Sequence, residues 1–297
     1  MSKNTDINDL EEGFVILGGT SDFFQNGRYN SRRKRLPWWL WVIMGIVVLA
    51  IAIFFIYKIT SRTTNGELQP SLYSVKENVK TDIWYNNTDA AVPPCSIVSD
   101  TLIGSIQLQI ITPYNAVPEL HVGKLDSSDN DIVFATLAAD IRQDNGKIVG
   151  AFVNAGEPLA WGLSKRGYCA IIEGNITLGV AENSPFFEQA TEQSGYFFRQ
   201  YPAVDKGVMV ENNPKNASYR RALCMLNGKV CIIATPDRVL MNDFSSALAT
   251  LGVENAIFLI GGDADGWYRT ADGTFHRLGE KFIKDNPNIN YIVFRAQ

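Results

Sequence analysis

A stretch of 21 residues without a charged side chain, residues 37–57, constrains this chain more than any other feature. At about 1.5 Å per residue, a helix of that length reaches the roughly 30 Å of a bilayer's hydrocarbon core. Aromatic side chains, which favour both membrane interfaces, cluster at its two ends. We therefore expect a single transmembrane helix, since uncharged apolar runs of this length are rare in soluble domains.

The charges on either side of this segment predict its orientation. Five basic residues between Arg28 and Arg35 precede it, and only Lys58 and Arg62 follow it closely. The positive-inside rule then puts the N-terminus in the cytoplasm and the C-terminal part in the periplasm or another extracytoplasmic space. A cleaved signal peptide does not fit, because the apolar run is too long and begins only after 36 residues. We expect a single-pass signal anchor.

This pattern divides the chain into four regions. The net charge of the C-terminal part limits the kinds of partner that the last region can bind. We expect a disordered cytoplasmic tail over residues 1–36, the transmembrane helix over 37–57, a stalk over 58–95 and an exported domain over 96–297. Residues 63–297 carry 19 basic and 26 acidic groups, a net charge of −7. Such a domain has no electrostatic footprint for phosphate backbones, so nucleic-acid binding is not expected.

The exported part is rich in short apolar stretches with strand-like patterning. One helix is also clear: Asn242 or Asp243 caps it, apolar residues recur at helical spacing from Phe244, and Gly252 closes it. It feeds a continuous apolar stretch at 256–260, typical of a central strand buried on both faces. The fold class expected is α+β, with flanking helices on a mixed β-sheet. The predicted strands are 102–112, 131–140, 148–154, 168–172, 176–180, 196–199, 208–210, the hairpin 221–234, 256–260 and 291–295.

The hairpin places two cysteines opposite each other. Asn227-Gly228 is a strong two-residue turn signal, and this register pairs Cys224 with Cys231. The two Cα atoms would lie about 5.5 Å apart, within the disulfide range. A disulfide and two free buried thiols both fit this pattern, and disulfides are chemically permitted in an exported domain.

Two glycine-bearing strand ends are candidate ligand sites. They are 153–157, which contains Asn154, Gly156 and Glu157, and 260–266, which contains Gly261 and Gly262. Glycine lets a ligand approach the backbone closely, although it also marks ordinary tight turns. The run from Asp263 to Gly266 starts like a calcium loop but lacks the later ligands and the closing Glu. We expect no metal or other cofactor, and calcium stays a weak alternative.

The order of several short segments resembles the phosphodiester glycosidase family. Those segments match a strand end of the Asn-Gly-Gly-Phe-Phe type, a Gln-Ser-Gly-Pro type, an Arg-Thr-Ala strand, a hairpin, and a strand end of the Asn-Ala-x-x-Leu-Asp-Gly-Gly-Gly-Ser type. In this chain they are Val153-Asn154-Ala155-Gly156, Gln193-Ser194-Gly195-Tyr196, Arg220-Arg221-Ala222, the hairpin 227–233 and the run from Asn255 to Ala264. The resemblance covers residues from about 130 to the C-terminus and implies a mixed α/β domain.

The resemblance also implies site residues. Arg220, or Arg221 if the register slips by one, would hold a phosphate through a bidentate fork, and Asn154 would bind a sugar hydroxyl. Ile260 stands where the family has an aspartate, and an isoleucine cannot serve as acid or base. Glycosidic cleavage commonly uses two carboxylates. The catalytic candidates are Glu157, Asp263 and Asp265, and those for substrate binding are Asn154, Gly156, Arg220, Arg221, Gly261, Gly262, Trp267 and His276.

Two of these candidates have structural alternatives. His276 is either a general acid or base or a structural residue, and Trp267 with Tyr268 either stacks on a sugar ring or packs in the sheet.

Three functions remain open for the whole chain. The first is a membrane-anchored glycosidase that acts on a sugar-1-phosphodiester or a related glycan linkage. The second is an inactive relative that binds a glycan or another cell-envelope component, and the third is a scaffold protein. We favour the enzyme, because active sites of one fold can move a carboxylate by a few positions.

Overall fold

The computed structural model describes residues 87–261, 264–279 and 286–296. The predicted transmembrane helix and cytoplasmic tail lie outside these ranges, as does most of the predicted stalk. Among the described residues, no helix is both long and apolar enough to cross a bilayer.

The described chain is mostly β-structure with two short helices. The helices are α1 (Phe186–Glu192) and α2 (Met241–Leu251). The first strands are β1 (Cys95–Ile103), β2 (Ile106–Tyr114), β3 (Ala116–Val122), β4 (Ile132–Leu137), β5 (Ala151–Asn154), β6 (Glu157–Trp161), β7 (Gly167–Ile172), β8 (Asn175–Val180) and β9 (Tyr196–Gln200). The remaining strands are β10 (Pro202–Asp205), β11 (Val208–Met209), β12 (Arg221–Leu226), β13 (Lys229–Ala234), β14 (Asn255–Phe258), β15 (Gly266–Arg269), β16 (Phe275–Gly279) and β17 (Asn290–Ala296).

These strands form three sheets. The first sheet has the order β1-β2-β13-β12-β14-β10-β11, the second β16-β15-β4-β17-β3 and the third β6-β5-β9-β7-β8. All strand pairs among the described residues are antiparallel, so the predicted mixed sheet is wrong. The error has a physical origin: an apolar run buried on both faces is typical of parallel strands, but an antiparallel sheet covered on both faces produces it too.

Strand β14 illustrates this double burial. Ile257 faces a core shared by all three sheets, whereas Ala256 and Phe258 face the opposite side and pack under α2. On the neighbouring strand β12, Leu223 points to the shared core and Cys224 to the side of α2. Because side chains alternate along a strand, one sheet contributes to two cores.

Helix α2 ends as the sequence predicts and begins differently. Gly252 adopts the left-handed conformation at φ 94°, and its N–H bonds back to the last turn. The N-cap is Leu240, which makes no side-chain capping bond. The predicted cap Asn242 lies within the helix and so cannot be its N-cap. Its side chain accepts a hydrogen bond from the Asn212 backbone N–H at 2.8 Å instead.

The hairpin prediction is confirmed in register, whereas the disulfide is not formed. Strands β12 and β13 pair Cys224 with Cys231 across the Asn227-Gly228 turn. Both are free thiols, as are Cys95 and Cys169. Cys224 and Cys231 are buried in the apolar core under α2, where thiols pack as small hydrophobic side chains. Burial raises the pKa of the Cys231 thiol to about 12, which keeps it protonated.

A stretch that the sequence predicts as one strand belongs to two strands in the structure. The stretch predicted as a single strand over 102–112 turns back on itself at Gly104-Ser105, and β1 pairs with β2 along nine residues. Gly104 has φ 61° there, a left-handed conformation that glycine adopts without strain. This hairpin forms one edge of the first sheet.

Candidate active site

A cleft opens where the chain leaves the first sheet for the second. Leu259 donates its N–H to the Arg221 carbonyl on β12 at 2.9 Å, and Ile260 donates its own to Leu137, the last residue of β4, at 3.3 Å. The backbone thus crosses between two sheets directly after β14. Polar groups gather at such junctions because the regular ladder of backbone hydrogen bonds ends there.

Two cavities meet at this junction. The first has a volume of about 530 Å³ and the second about 290 Å³. They share a wall, which we call the arginine wall, formed by Tyr219, Arg220, Arg221 and Gly261. The other residues of the first cavity are Asp100, Gln107, Gln109, Ala234, Thr235, Pro236, Arg277, Leu278 and Gly279.

Arg221 joins the two sheets through its guanidinium. The residue is only 3% exposed; its Nη1 donates to the Thr136 hydroxyl on β4 and its Nη2 to the Leu278 carbonyl at 3.1 Å. Its Nε has no hydrogen-bond partner among the described residues. Desolvation lowers the pKa of Arg221 to about 10, and the charge of Asp265 opposes that shift. These bonds hold the guanidinium at the wall shared by the two cavities, where its positive charge can attract an anionic ligand.

Two glycines make room for this arrangement. A Cβ atom on Gly266 would lie 3.0 Å from the Arg221 Nη1 and 3.0 Å from the Thr136 hydroxyl. A Cβ atom on Gly261 would lie 2.6 Å from the Tyr219 carbonyl. The sequence singled out Gly261 as a place of close approach, and the group that approaches it is the protein's own backbone.

Asp265 lies buried close to two arginines. It is 5% exposed, and one carboxylate oxygen has no hydrogen-bond partner in the described part of the chain. Desolvation raises its pKa, while the charges of Arg277 and Arg221 partly counter that rise. Asp265 does not line either cavity. Its position fits a group that balances the charge of Arg221 from behind the wall.

Arg220 holds the loop that follows β11. Its Nε donates to the Val239 carbonyl at 3.1 Å and its Nη2 to the Asn216 carbonyl. Its backbone N–H donates to the Thr235 hydroxyl at 2.9 Å. The resemblance favoured Arg220 for the phosphate, but most of its guanidinium is already engaged with backbone oxygens. Among the described residues, Arg220 keeps only its Nη1 unpaired and Arg221 only its Nε.

The first cavity carries a net positive charge. Arg220, Arg221 and Arg277 line it, against the single carboxylate of Asp100 among its described lining residues. Gln107 and Gln109 add amide groups that can both donate and accept hydrogen bonds. Such a set suits an anion attached to a hydroxyl-rich group.

Asp100 was missed by the sequence analysis, as were Gln107 and Gln109. Asp100 faces Gln109 across the β1–β2 pair. The available signal was the polar residues at alternate positions, 107 and 109, within an otherwise apolar strand. Thr136 left no comparable signal, because a single threonine in an apolar strand is ordinary.

An ion pair between a buried lysine and a partly exposed aspartate lies beside the second cavity. Lys165, whose side chain is 5% exposed, donates to the Asp140 carboxylate and, at 2.9 Å, to the Gln200 side chain. The lysine Nζ also lies 4.9 Å from the centre of the Tyr201 ring. Asp140, Gln200 and Tyr201 line the cavity, and so does Ile260.

The other glycine-bearing strand end lies elsewhere. Ala155 and Gly156, with φ 49° and 85°, form the tight turn between β5 and β6 in the third sheet, and Asn154 pairs with Glu157 across it. The Gly156 N–H bonds to the Gly195 carbonyl at 2.8 Å. Glu157 is exposed, and none of Asn154, Gly156 and Glu157 lines either cavity. The structure does not bring this turn together with the arginine wall.

The aromatic candidates pack inside the protein. Trp267 is fully buried and packs against Phe275 and Tyr291 at ring distances of 6.4 and 6.2 Å. The predicted stacking of Trp267 on a sugar is therefore corrected to core packing. His276 stacks on Tyr268 at 4.7 Å and lines neither cavity.

Two predicted site residues lie outside the described chain: Gly262 and Asp263, directly after Gly261. The described residues contain no group of three or more His, Cys, Asp or Glu side chains that could hold a metal ion.

Two solved structures are partly similar to this chain. No family model matches the sequence, and no curated sequence matches it. The catalytic domain of zebrafish N-acetylglucosamine-1-phosphodiester alpha-N-acetylglucosaminidase, auto-inhibited by its pro-peptide, has a TM-score of 0.49 and 14% identity over 72% of this chain and 87% of that one. A hypothetical protein from Synechocystis has a TM-score of 0.44 and 12% identity over 68% of this chain and 62% of its own. Likenesses of this size assign no role to any residue of this chain.

Proposed function

We propose that this domain is a phosphodiester glycosidase that hydrolyses the bond between a sugar C1 and a phosphodiester oxygen. The observation that carries the proposal is the arginine wall, where Arg221 is buried close to Asp265 and, among the described residues, leaves its Nε unpaired. The resemblance of five sequence segments to the phosphodiester glycosidase family agrees with it.

The arginines match the chemistry of the leaving group. When the C1–O bond breaks, its electron pair stays on a phosphate monoester, which gains a second negative charge. Arg221, held by its bonds to Thr136 and Leu278, stabilises that charge from a fixed position, which is the kind of interaction that lowers a barrier most. The exposed Arg277 adds positive charge to the same cavity. A phosphate leaves without a strong acid beside it, so the reaction tolerates the isoleucine at position 260.

Asp265 serves in this proposal as a positioning residue. Its charge compensates that of Arg221 and so keeps the guanidinium ionised in a buried place. Asp263 follows the wall directly in sequence and stays a catalytic candidate. Glu157 has no part in the reaction, because its turn belongs to the third sheet and lines neither cavity.

A second function has an observation in its favour. Ile260 replaces the family's aspartate, and Asp100 is the single carboxylate among the described residues lining the first cavity. A cleft with this composition can bind a phosphorylated glycan without cleaving it. In that case the chain is a binding protein of the cell envelope.

One assay separates the two functions. The full-length chain is incubated with a panel of sugar-1-phosphodiesters, and the free reducing sugar is followed by NMR. We expect release by the native chain, loss with Arg221→Met and no change with the exposed control Arg142→Gln. Binding without release would support the second function, and neither binding nor release would exclude both.

We also propose that residues 37–57 anchor the chain, with the domain on the extracytoplasmic side. The support is the uncharged apolar run and its basic flank. Carbonate extraction of membranes should leave the chain in the pellet, and protease added outside the membrane should reach the domain. Extraction into the soluble fraction would contradict the anchor.

A further inference from the structure

We propose that Asp140 is the catalytic carboxylate of this cleft and replaces the aspartate that the sequence lacks at position 260. This inference rests on the proposed glycosidase function and names the residue that would act on the sugar. Neither the family resemblance nor the motifs of the sequence point to Asp140.

Positions 140 and 260 lie at the same place in the fold. Ile260 follows β14 and Asp140 follows β4, and the Ile260 N–H bonds to Leu137 at the end of β4. Both side chains line the second cavity. A carboxylate lost from one strand end is thus presented by the neighbouring strand end.

Asp140 also faces the arginine wall. Arg220 and Arg221 line the same cavity of about 290 Å³, so positive and negative groups stand around one space. A phosphodiester on Arg221 would then direct its sugar C1 toward Asp140. Tyr201 and Gln200 offer a ring and an amide to the sugar, as carbohydrate sites often do.

Lys165 holds the Asp140 carboxylate in place, although both its backbone conformation and the burial of its charge are unfavourable. The backbone of Lys165 lies in the left-handed region at φ 69°, which is unfavourable for a residue with a Cβ. Its side chain is buried, and desolvation lowers its pKa although Asp140 opposes that shift. Strain combined with a buried charge is typical of functional sites. Asp140 itself keeps 42% of its side chain exposed, on the side of the cavity.

The reaction step balances as follows. The C1–O bond breaks with its electron pair moving to the phosphate monoester, while the negative charge of Asp140 stabilises the oxocarbenium-like centre at C1. A water oxygen then bonds to C1, and its proton goes to the released phosphate, whose second pKa is about 6. Asp140 ends the cycle unchanged.

The test compares Asp140 variants with Asp144→Asn in the full-length chain. Asp144 lies on the same connection but pairs with Arg142 at 2.8 Å on the exposed surface. We expect Asp140→Asn to lower kcat for sugar release by roughly 100- to 1,000-fold, as loss of one fixed electrostatic group does. Asp144→Asn should retain native kcat.

Sodium azide provides a readout that a structural role would not change. In Asp140→Ala the cavity has room for azide, which can bond to C1 as the phosphate leaves. A glycosyl azide detected by NMR in this variant would support a carboxylate at C1. Lys165→Met should lower kcat with little change in KM, and Lys165→Arg should restore part of it, because Lys165 acts through Asp140.

The outcomes of these experiments distinguish a failure of the role proposed for Asp140 from a failure of the glycosidase function. Native release together with native kcat in Asp140→Asn would overturn the role of Asp140 and leave the glycosidase function standing. Absence of release by the native chain across the panel would overturn both. Loss of release in Asp140→Asn without azide product in Asp140→Ala, where phosphate affinity is retained, would also overturn catalysis by Asp140.

Discussion

The two glycine-bearing strand ends of this domain look alike in sequence and differ in structure. At 153–157 the glycine sits in a two-residue turn that closes a hairpin within one sheet. After β14, Gly261 lies where the chain crosses from one sheet to another, beside a buried arginine. The difference shows that a glycine at a strand end lies beside a polar cleft where the regular hydrogen bonding of a sheet ends next to a buried charged side chain.

Buried charged side chains lie at the strand end after β14 and not at the hairpin turn, and the hydrogen bonding of the two ends explains why. Within the hairpin turn, backbone bonds satisfy the polar groups, and Glu157 points to solvent. At the sheet junction, Arg221 bonds to a side chain on β4 and a carbonyl on β16, and its Nε has no partner in the described part of the chain. Two sheets that meet thus create a polar cleft that neither sheet forms alone.

Replacing Arg221 by Lys should have the largest effect. The ammonium keeps the charge but loses the planar fork that reaches Thr136, the Leu278 carbonyl and a phosphate together. We expect kcat/KM for a sugar-1-phosphodiester to fall about 100-fold, as the loss of one or two charged hydrogen bonds implies. Steady-state kinetics of the full-length chain measure it, and a change of less than threefold would contradict the role of the fork.

A pair of glycine substitutions compares the two strand ends directly. Gly266→Ala brings a Cβ to 3.0 Å from Arg221 Nη1, and Gly156→Ala brings one to 3.0 Å from the Ser194 Cα in the hairpin turn. Both should lower the free energy of unfolding by about 1–3 kcal/mol. Only Gly266→Ala should also lower kcat/KM, by about tenfold, because it displaces Arg221. Equal kinetic effects would show that the two ends do not differ in use.

The buried thiols predict a decline in stability at alkaline pH. Burial raises the pKa of Cys224 well above its usual value and that of Cys231 to about 12. Above about pH 8.5 the unfolded chain loses thiol protons that the folded chain keeps, so the free energy of unfolding falls as pH rises. Each thiol contributes up to about 1.4 kcal/mol per pH unit.

The double variant Cys224→Ala/Cys231→Ala checks this slope. Urea unfolding at pH 8, 9 and 10 should show a shallower decline than in the native chain, whatever the stability at pH 8. An unchanged slope would mean that the two thiols are not buried as described. A disulfide between them would remove their contribution to the slope in the native chain as well.

The smallest effect is expected at the hairpin turn. Glu157→Gln should leave kcat and KM within twofold of the native values, because Glu157 is exposed and lines neither cavity. The same NMR assay measures it. A loss of tenfold or more would return the turn at 153–157 to the active site and remove the distinction drawn between the two strand ends.

Local patterns in the sequence predicted local structure well. The Asn227-Gly228 turn predicted the register of β12 and β13, and Gly252 predicted the end of α2, because both depend on neighbours in the chain. The strand after α2 was also predicted as interior, and it lies between β12 and β10. Its direction was not predictable, since burial alone does not distinguish parallel from antiparallel neighbours.

The cleft was only partly predictable, for a physical reason. Arg221 was a candidate through its segment, but its partner Thr136 lies 85 positions away and pairs with it only because two sheets pack together. The same holds for Asp140 and Lys165, which are 25 positions apart. Nothing in the local sequence of Trp267 distinguished a core aromatic from a sugar platform, and burial decides that.

A calorimetric titration shows most directly whether the arginine wall holds a phosphate. The full-length chain, Arg221→Met and Arg142→Gln are titrated with glucose-1-phosphate and with inorganic phosphate. We predict that the native chain and Arg142→Gln bind at least one of them equally well, and that Arg221→Met binds it about 100-fold more weakly. Equal affinity in Arg221→Met, or no phosphate affinity in the native chain, would contradict the account.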